Sequence, residues 1–202
     1  MLSDQAIFER YLTKRSEFEK QSEITLIGHS LFDMWSDLPQ GMPSLMGKTT
    51  ANLGISGIST KQYLDVLVNQ QAIQHVGNDV FFFLGVNDIA KEKNYSPEQV
   101  LIWLQDIIRK IRPIAPLNVH YFLLEATPID ESRIKTVSNA QIIELNTYFR
   151  RYCPDELLFI ETYKNFTNEQ GQLATELTTD GLHFSDKGYT VLAQLLLPYL
   201  TC

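Results

Sequence analysis

Long hydrophobic runs are missing from this chain of 202 residues, and cysteine is scarce. The longest apolar run, VFFFLGV at residues 80–86, is far too short to cross a bilayer. The first residues, MLSDQAIFER, lack the basic segment and the apolar segment of a signal peptide. Cys153 and Cys202 do not have the spacing of a metal site or a redox motif, so we expect free thiols and no disulfide. These absences predict a soluble, cytoplasmic protein without stable membrane insertion.

Basic residues are in the minority, with 17 Lys and Arg against 24 Asp and Glu and a formal net charge of -7. Proteins bind nucleic acids largely through basic side chains that neutralise phosphates, and no basic cluster is present here. The charge balance therefore argues against a nucleic-acid partner. With 44% hydrophobic residues the chain can bury one sizeable core, and no linker or repeat divides it. We expect a single domain over residues 1–202.

The chain does contain an alternation of strand-like and helix-like segments. Short apolar segments rich in β-branched and aromatic residues predict five strands, at Ile24–Ile27, Thr50–Leu53, Val80–Leu84, Val119–Leu124 and Leu157–Ile160. Apolar periodicity and capping residues predict helices, at Gln5–Glu19, Thr60–Gln70, from Pro97 up to Pro113, Thr136–Tyr152 and Ser185–Leu196. The central strands do not alternate with polar residues, which indicates burial on both faces of a parallel sheet. The pattern predicts an α/β domain with right-handed crossovers.

Polar residues that can perform chemistry follow the predicted strands rather than lying inside them. The first strand runs into GHS at 28–30, the second into NLGISGIST at 52–60, and the third into LGVNDIA at 84–90. A fourth polar segment, TTDGLHFSDKGY, occupies residues 178–189. Because ligands bind beyond the carboxyl ends of the strands in such sheets, these segments are where we expect the functional site.

Hydrolysis of an acyl ester by a serine requires a hydroxyl nucleophile, a base, a carboxylate that orients the base, and donors for the oxyanion. Ser30 is the candidate nucleophile, His183 the candidate base, and Asp180 precedes that histidine by three residues in the same segment. Gly57 could offer an unobstructed backbone N–H and Asn87 a side-chain amide. These residue types are common, so the residues alone leave open ordinary turn and capping roles.

Taken together and in this order, the four segments resemble the sequence blocks of the SGNH, or GDSL, hydrolase superfamily. GHS at 28–30 resembles the first block, which is usually Gly-Asp-Ser, and NLGISG at 52–57 resembles the second. GVND at 85–88 matches the third block, Gly-x-Asn-Asp, and DGLH at 180–183 matches the last, Asp-x-x-His. The helix ahead of the first strand and the ending TTDGLHFSDKGY are most similar to the platelet-activating-factor acetylhydrolase-like branch.

The resemblance implies a carboxylic-ester hydrolase that acts through an acyl-enzyme on a small-molecule ester. Ser30 would attack the acyl carbon, His183 would move the proton, and Asp180 would hold the imidazole. The oxyanion hole would comprise the backbone N–H groups of Ser30 and Gly57 and the Asn87 side chain. No metal or organic cofactor is implied, and relatives in the suggested branch can form homodimers. The expected fold is a three-layer α/β/α sandwich with a five-stranded parallel sheet of flavodoxin-like order.

Secondary candidates lie beside these residues. Gly54 competes with Gly57 as the donor of the second block, although the resemblance favours the later glycine. Asp88 is expected to form hydrogen bonds within its own loop, where a turn role is the alternative. The apolar residues after the nucleophile, Phe32, Met34 and Trp35, could line an acyl pocket or equally pack beneath the sheet.

The chain departs from the family pattern at His29, where the family usually has an acidic residue. Histidine can also donate or accept hydrogen bonds, so we predict a neutral His29 that keeps the nucleophile turn organised. A metal site is a disfavoured alternative, formed from His29, Asp33, Asp88, Asp180 and His183. The altered first block is also the only support for a second function class, a degenerate domain that binds an acylated ligand or partner without turnover.

Overall fold

The computed structural model describes residues 2–200 and contains a five-stranded sheet in which all paired strands are parallel. The strands are β1 Ile24–Gly28, β2 Thr50–Asn52, β3 Asp79–Phe83, β4 His120–Leu124 and β5 Leu157–Ile160. Their order in the sheet is β2-β1-β3-β4-β5, which is the flavodoxin-like order of a doubly wound fold. The predicted strands and the predicted sheet type are confirmed, with bounds that shift by one residue at most.

Helices precede, connect and follow the strands. They are α1 Asp4–Thr13, α2 Arg15–Phe18, α3 Ser30–Asp33, α4 Thr60–Gln62, α5 Val86–Lys91, α6 Pro97–Ile111, α7 Asn139–Tyr152, α8 Tyr163–Phe166 and α9 Asp186–Leu196. Helix α4 continues as a π-helix over Tyr63–Val68. Single 3₁₀ turns cover Met34–Asp37, Arg112–Ile114, Thr175–Leu177 and Leu197–Tyr199. Within residues 2–200, every helix is too short or too polar to span a bilayer.

Helices cover both faces of the sheet, so every residue of β1, β2 and β3 is buried, as expected, whereas the edge strand β5 exposes Leu158. One core contains Phe82 together with apolar side chains of α1, α2, α6, α7 and the π-helix that continues α4. The other core contains Phe81 and Phe83 with side chains of α3, α8 and α9. The alternation of these three phenylalanines between two cores explains why β3 has no polar face, because each side of the sheet packs against helices.

Two predicted helices differ from the structure. The segment predicted as one helix over Gln5–Glu19 is divided between α1 and α2 at Lys14, whose backbone (φ -111°, ψ 10°) is not helical. The segment predicted over Thr60–Gln70 widens into a π-helix after its first turn. Bonds that span five residues, such as the one from the Asn69 N–H to the Leu64 carbonyl (2.8 Å), replace the ordinary helical ladder there. Apolar spacing predicted that the segment coils, but it did not predict which hydrogen-bond pattern the packing would select.

Capping residues set the helix ends largely as predicted. Ser96 caps α6 by accepting a hydrogen bond from the Gln99 N–H (3.1 Å), and the helix ends at Ile111, shortly before Pro113. Ser185 caps α9 in the same manner through the Gly188 N–H (3.2 Å). These local signals place the helices without reference to the rest of the fold.

The free cysteine in the described part of the chain is Cys153, which is half-buried. Burial raises the pKa of its thiol to about 12. Cys202 lies outside the described residues, so the prediction of a free thiol is addressed only for Cys153.

Candidate active site

Ser30 lies at the carboxyl end of β1, as the first residue of α3. The register pairs Gly28 with Phe83, so the ends of β1 and β3 are neighbours, and the segments that follow them lie side by side. The second block approaches the same point, because the Ile55 N–H donates to the Gly28 carbonyl (3.0 Å). Three of the four predicted blocks therefore meet at one edge of the sheet.

A continuous hydrogen-bonded chain links Ser30, His183 and Asp180. The Ser30 Oγ lies 3.1 Å from the His183 Nε2, although the two residues are 153 positions apart. The other ring nitrogen, Nδ1, lies 2.7 Å from the Asp180 Oδ2. The structure thus brings together the three residues that the sequence predicted as nucleophile, base and orienting carboxylate.

The segment around Asp180 is organised by its own carboxylate. The Asp180 Oδ1 accepts hydrogen bonds from the backbone N–H groups of Leu182 (2.9 Å) and His183 (2.8 Å). Thr178 closes the turn, since its Oγ1 donates to the His183 carbonyl (2.7 Å) and accepts from the Gly181 N–H (2.9 Å). One oxygen of Asp180 therefore shapes the loop while the other meets the imidazole.

Asp180 is ionised at neutral pH. Burial tends to raise the pKa of its carboxyl group, but hydrogen bonds from the His183 side chain and from backbone N–H groups outweigh burial and lower it. The side chain is 51% exposed. Water therefore reaches the outer side of this carboxylate, which weakens the electrostatic effect of its charge.

The two glycines of the second block differ in whether the backbone N–H is already hydrogen-bonded. The Gly54 N–H donates to the Asn52 Oδ1 (3.1 Å), so this donor is engaged. The Gly57 N–H has no acceptor among residues 2–200. Gly57 also has a positive φ of 72°, a conformation that glycine adopts without steric cost. Of the two, Gly57 therefore has the backbone donor that is free to meet a ligand.

Asn87 and Ser30 supply the other predicted donors. The Asn87 Nδ2 donates one hydrogen to the carbonyl of Ile58 (2.9 Å), the residue after Gly57. A primary amide carries two hydrogens, so a second one remains on the same nitrogen. The Ser30 N–H has no acceptor within the described part of the chain, because it begins α3.

The prediction that Asp88 forms hydrogen bonds within its own loop is wrong. Asn87 and Asp88 belong to helix α5, and the buried Asp88 carboxylate reaches across to the start of α4. It accepts hydrogen bonds from the Thr60 N–H (2.9 Å) and the Thr60 Oγ1 (2.8 Å). Burial raises its pKa to about 7, against the opposing effect of these hydrogen bonds. Asp88 therefore joins the second and third blocks and does not face the Ser30 hydroxyl.

His29 is almost completely buried behind the nucleophile. Its Nδ1 accepts a hydrogen bond from the Leu31 N–H (3.3 Å), and its ring lies 4.9 Å from the Phe83 ring. Burial lowers the pKa of His29 to about 3, and the charges of His183 and Lys91 add to the effect. These contacts agree with a neutral His29 that organises the turn, while its effect on activity stays a prediction.

The apolar residues after Ser30 pack beneath the sheet. Phe32 and Trp35 are fully buried in the core shared with α9, where the Trp35 ring stacks on Tyr189 at 5.6 Å. Met34 is half-buried and packs against the same core. Of the two alternatives, an acyl pocket or packing beneath the sheet, the structure therefore has the second, and Phe32 and Trp35 do not form an acyl pocket.

Several charged residues near the site were missed or misread in the sequence. Asp33, considered only as a metal ligand, instead forms ion pairs with Arg10 and Lys14 of the N-terminal segment. The spacing of four between these cations was the available signal, since it would place both on one face of the single helix predicted over Gln5–Glu19. Lys91 lies one turn after Asn87 on α5, and its buried ammonium has no hydrogen-bond partner among residues 2–200.

No cluster of three or more potential metal ligands occurs within those residues.

Comparisons with known proteins show which family the chain resembles. Residues 24–191 match the GDSL-like Lipase/Acylhydrolase family. The chain is 36% identical over 188 residues to an N-acylneuraminate cytidylyltransferase of Escherichia coli O18:K1:H7 (strain RS218 / NMEC), covering 93% of this chain but only 42% of that protein. The chain therefore spans less than half the length of that curated relative.

Solved structures with the same fold cover nearly the whole chain. A Streptococcus pneumonia protein named for platelet activating factor has a TM-score of 0.78 and 25% identity, over 98% of this chain and 96% of its own. A Bacteroides fragilis protein named as an acylhydrolase has a TM-score of 0.76 and 18% identity, over 98% of both chains. Given the family match across most of its length, the chain belongs to the GDSL-like lipase/acylhydrolase family.

Proposed function

We propose that this protein is a serine esterase that cleaves a small acyl or acetyl ester through an acyl-enzyme. Ser30 is the nucleophile, His183 the general base, and Asp180 the carboxylate that orients the imidazole. The observation that carries the proposal is the unbroken hydrogen-bonded chain from the Asp180 Oδ2 through both ring nitrogens of His183 to the Ser30 Oγ (2.7 and 3.1 Å). Both distances lie within the range in which a base can accept a hydroxyl proton.

This hydrogen-bonded chain of three side chains can carry out the reaction in two steps, formation of the acyl-enzyme and its hydrolysis. Asp180 accepts the Nδ1–H of His183, which leaves the Nε2 lone pair directed at the Ser30 hydroxyl. The Ser30 Oγ attacks the acyl carbon as Nε2 takes its proton, and the leaving alcohol receives that proton when the ester bond breaks. Water then attacks the acyl-enzyme, gives one proton to Nε2, and the Ser30 oxygen leaves with that proton as the carboxylic acid is released.

The oxyanion of each tetrahedral intermediate would be bound by the N–H groups of Ser30 and Gly57 and by the second amide hydrogen of Asn87. Their common property supports this role, since each has a hydrogen that no described residue accepts. Donors fixed by the fold need no rearrangement as charge develops, which is why they stabilise the transition state more than the substrate.

Hydrolysis of short p-nitrophenyl esters, acetyl to octanoyl, tests the activity, and a fluorophosphonate followed by peptide mass spectrometry tests the nucleophile. We expect turnover and a single covalent label on Ser30. Labelling of another residue in active protein would contradict the proposed triad. Protein that binds an acylated ligand but shows no Ser30-dependent turnover would instead support the degenerate, binding-only domain.

The matched relative suggests one class of substrate to include in the assay. Its name refers to N-acylneuraminate, an acidic sugar, and the matched segment here belongs to the GDSL-like Lipase/Acylhydrolase family. We therefore propose acetyl esters of acidic sugars as candidates, beside neutral acetylated sugars, lysophospholipids and thioesters. The ratio of kcat/KM values across this panel ranks the classes.

Alanine substitutions at the two glycines of the second block identify the oxyanion donor. A Cβ on Gly54 would lie 2.4 Å from the Asp33 backbone nitrogen, so we expect Gly54→Ala to destabilise the fold by about 1–3 kcal/mol. A Cβ on Gly57 would lie 3.0 Å from the movable Leu2 side chain and 3.7 Å from the Lys91 Nζ, and its positive φ costs about 1–2 kcal/mol. We expect Gly57→Ala to fold but to lower kcat by about tenfold or more, because the free N–H shifts.

Urea unfolding and kcat at saturating ester separate the two effects. Full kcat in Gly57→Ala, together with a folded but inactive Gly54→Ala variant, would assign the donor to Gly54.

His29→Asp tests whether the departure from the family pattern impairs the enzyme. A carboxylate beside His183 favours the protonated imidazole, so we expect the acid limb of the kcat/KM profile to move to higher pH. Burying a charge at this position is expected to cost about 1–3 kcal/mol in stability. His29→Asn is the matched control, since its amide oxygen can still accept the Leu31 N–H. A large gain in turnover for His29→Asp would show instead that the natural histidine limits catalysis.

A further inference from the structure

We propose that Asp33, Lys14 and Arg10 are positioning residues that hold the loop carrying Gly57 against the helix carrying Ser30. The two cations belong to the segment that precedes the family match, which begins at residue 24. The N-terminal helix would then complete the scaffold of the active site rather than merely cover the sheet. This inference rests on the proposed esterase function, because it concerns the same site.

Asp33 is a fully buried carboxylate with four donors on its two oxygens. Its Oδ1 accepts from the Lys14 Nζ (2.8 Å) and the Arg10 Nη2 (2.9 Å). Its Oδ2 accepts from the Ser56 N–H (2.8 Å) and the Arg10 Nε (3.3 Å). Burial tends to raise the pKa of this carboxyl, but the cations and the Ser56 N–H lower it overall, so Asp33 is ionised. A charge this buried requires partners of this kind, which makes the arrangement sensitive to the loss of any one of them.

The hydrogen bonds of Asp33 connect two segments that lie close in sequence to the proposed catalytic groups, Ser30 and Gly57. Asp33 lies three residues after Ser30 in α3, and Ser56 is the residue before Gly57. The hydrogen bond from the Ser56 N–H to Asp33 therefore joins the loop that carries Gly57 to the helix that carries Ser30.

Lys14 forms hydrogen bonds with both the helix and the loop. Its Nζ donates to Asp33 and also to the Gly54 carbonyl (2.7 Å) at the start of the loop. The loop and α3 are in backbone contact at this place, since a Cβ on Gly54 would lie 2.4 Å from the Asp33 nitrogen. The side chains of Lys14 and Arg10 are 11% and 39% exposed, so the lysine is the inner cation and the arginine the outer one.

A positioning role makes a specific kinetic prediction. An oxyanion donor interacts with charge that develops only in the transition state, so a small displacement of the Gly57 N–H lowers kcat and leaves KM nearly unchanged. An ion pair that only stabilises the fold would lower the melting temperature and leave kcat per folded molecule unchanged. The two roles are therefore distinguishable below the melting temperature.

Lys14→Met removes both hydrogen bonds while keeping an apolar stem of similar length. Lys20→Met is the matched control, because the Lys20 Nζ also donates to a backbone carbonyl, that of Thr50 (2.8 Å), but away from the loop of Gly57. We expect Lys14→Met to lower kcat about fivefold to twentyfold per active site with KM within about twofold, and Lys20→Met to leave both within about twofold. Lys14→Arg, which keeps the charge, should recover most of the loss. Active sites are counted by fluorophosphonate titration.

A double-mutant cycle shows whether Lys14 acts through the oxyanion loop. The effects of Lys14→Met and Gly57→Ala on kcat should be less than additive, because both displace the same donor. If Lys14→Met does not fold, the outer cation provides the test, and Arg10→Met should lower kcat about twofold to fivefold. Unchanged kcat per titrated site in these variants, with Ser30-dependent turnover intact, would overturn the positioning role alone. Absence of Ser30-dependent turnover in the unmodified protein would instead remove the proposed function.

Discussion

Replacing Ser30 by alanine is expected to lower kcat for ester hydrolysis by about 10⁴-fold or more, the largest effect that we predict for any single substitution. The alanine variant lacks the Ser30 Oγ, which lies 3.1 Å from the His183 Nε2. Without that hydroxyl no proton can pass to His183 and no acyl-enzyme can form. Residual catalysis would come only from the oxyanion donors and from binding of the ester. Steady-state hydrolysis of p-nitrophenyl acetate, with the fluorophosphonate label as a second readout, measures the loss.

Ser16→Ala is the matched control for this experiment. Ser16 is an exposed serine on α2 that takes no part in the hydrogen-bonded chain of Ser30, His183 and Asp180, and its loss should leave kcat and labelling unchanged. Activity in Ser30→Ala within about tenfold of the unmodified protein would contradict the covalent mechanism. The same result would make direct attack of water on the ester the better description.

Asp180→Asn is expected to have the second largest effect, a fall in kcat/KM of about 10²–10⁴-fold at neutral pH. The reason lies in the loop geometry. The Asp180 Oδ1 is held by the backbone N–H groups of Leu182 and His183 (2.9 and 2.8 Å), and an asparagine oxygen would remain there. The asparagine NH₂ then faces the His183 Nδ1 and forces the ring proton onto Nε2, which can no longer accept the proton of Ser30.

Asp186→Asn is the matched control, because it removes the same charge from an exposed position three residues beyond His183. It should leave kcat/KM within about twofold, which would show that the loss in Asp180→Asn is due to the tautomer rather than to net charge. The partial exposure of Asp180 favours the lower part of the predicted range, since water weakens the effect of its charge. Equal activity of the two variants would mean that Asp180 does not orient the imidazole.

A homodimer, a single domain over residues 1–202 and a cytoplasmic location stay predictions. Light scattering on the purified protein measures the first, limited proteolysis the second, and cell fractionation the third.

Features that depend on near neighbours in the chain were predictable. The bounds of β5 and the start of α6 follow from short apolar runs and from Ser96 and Pro97, which act within one turn of themselves. Asp180 and His183 are three residues apart, so their pairing could be expected from one loop. The order of the four blocks identified the family, because each block is a short local pattern.

Features that depend on distant segments were not predictable with the same certainty. Asp88 was expected to bond within its loop, but its acceptor oxygens meet Thr60, 28 residues earlier. The choice between Gly54 and Gly57 depends on which N–H is already engaged, and Asn52 decides that through the folded loop. The role of the cations Arg10 and Lys14 depends on Asp33, 23 and 19 residues away.

The sequence by itself determined the fold class and the order of the strands along the chain, because residue types and spacings that act over a few positions set strand ends, caps and turns. It identified the three residues of the proposed triad through the resemblance of its four short blocks to a known family. Only the tertiary structure decided that Ser30 meets His183 at 3.1 Å across 153 positions, and that a buried carboxylate three residues after Ser30 takes its counterions from the N-terminal segment. Those contacts arise because the parallel sheet gathers the carboxyl ends of its strands at one edge, and no local pattern encodes the resulting distances.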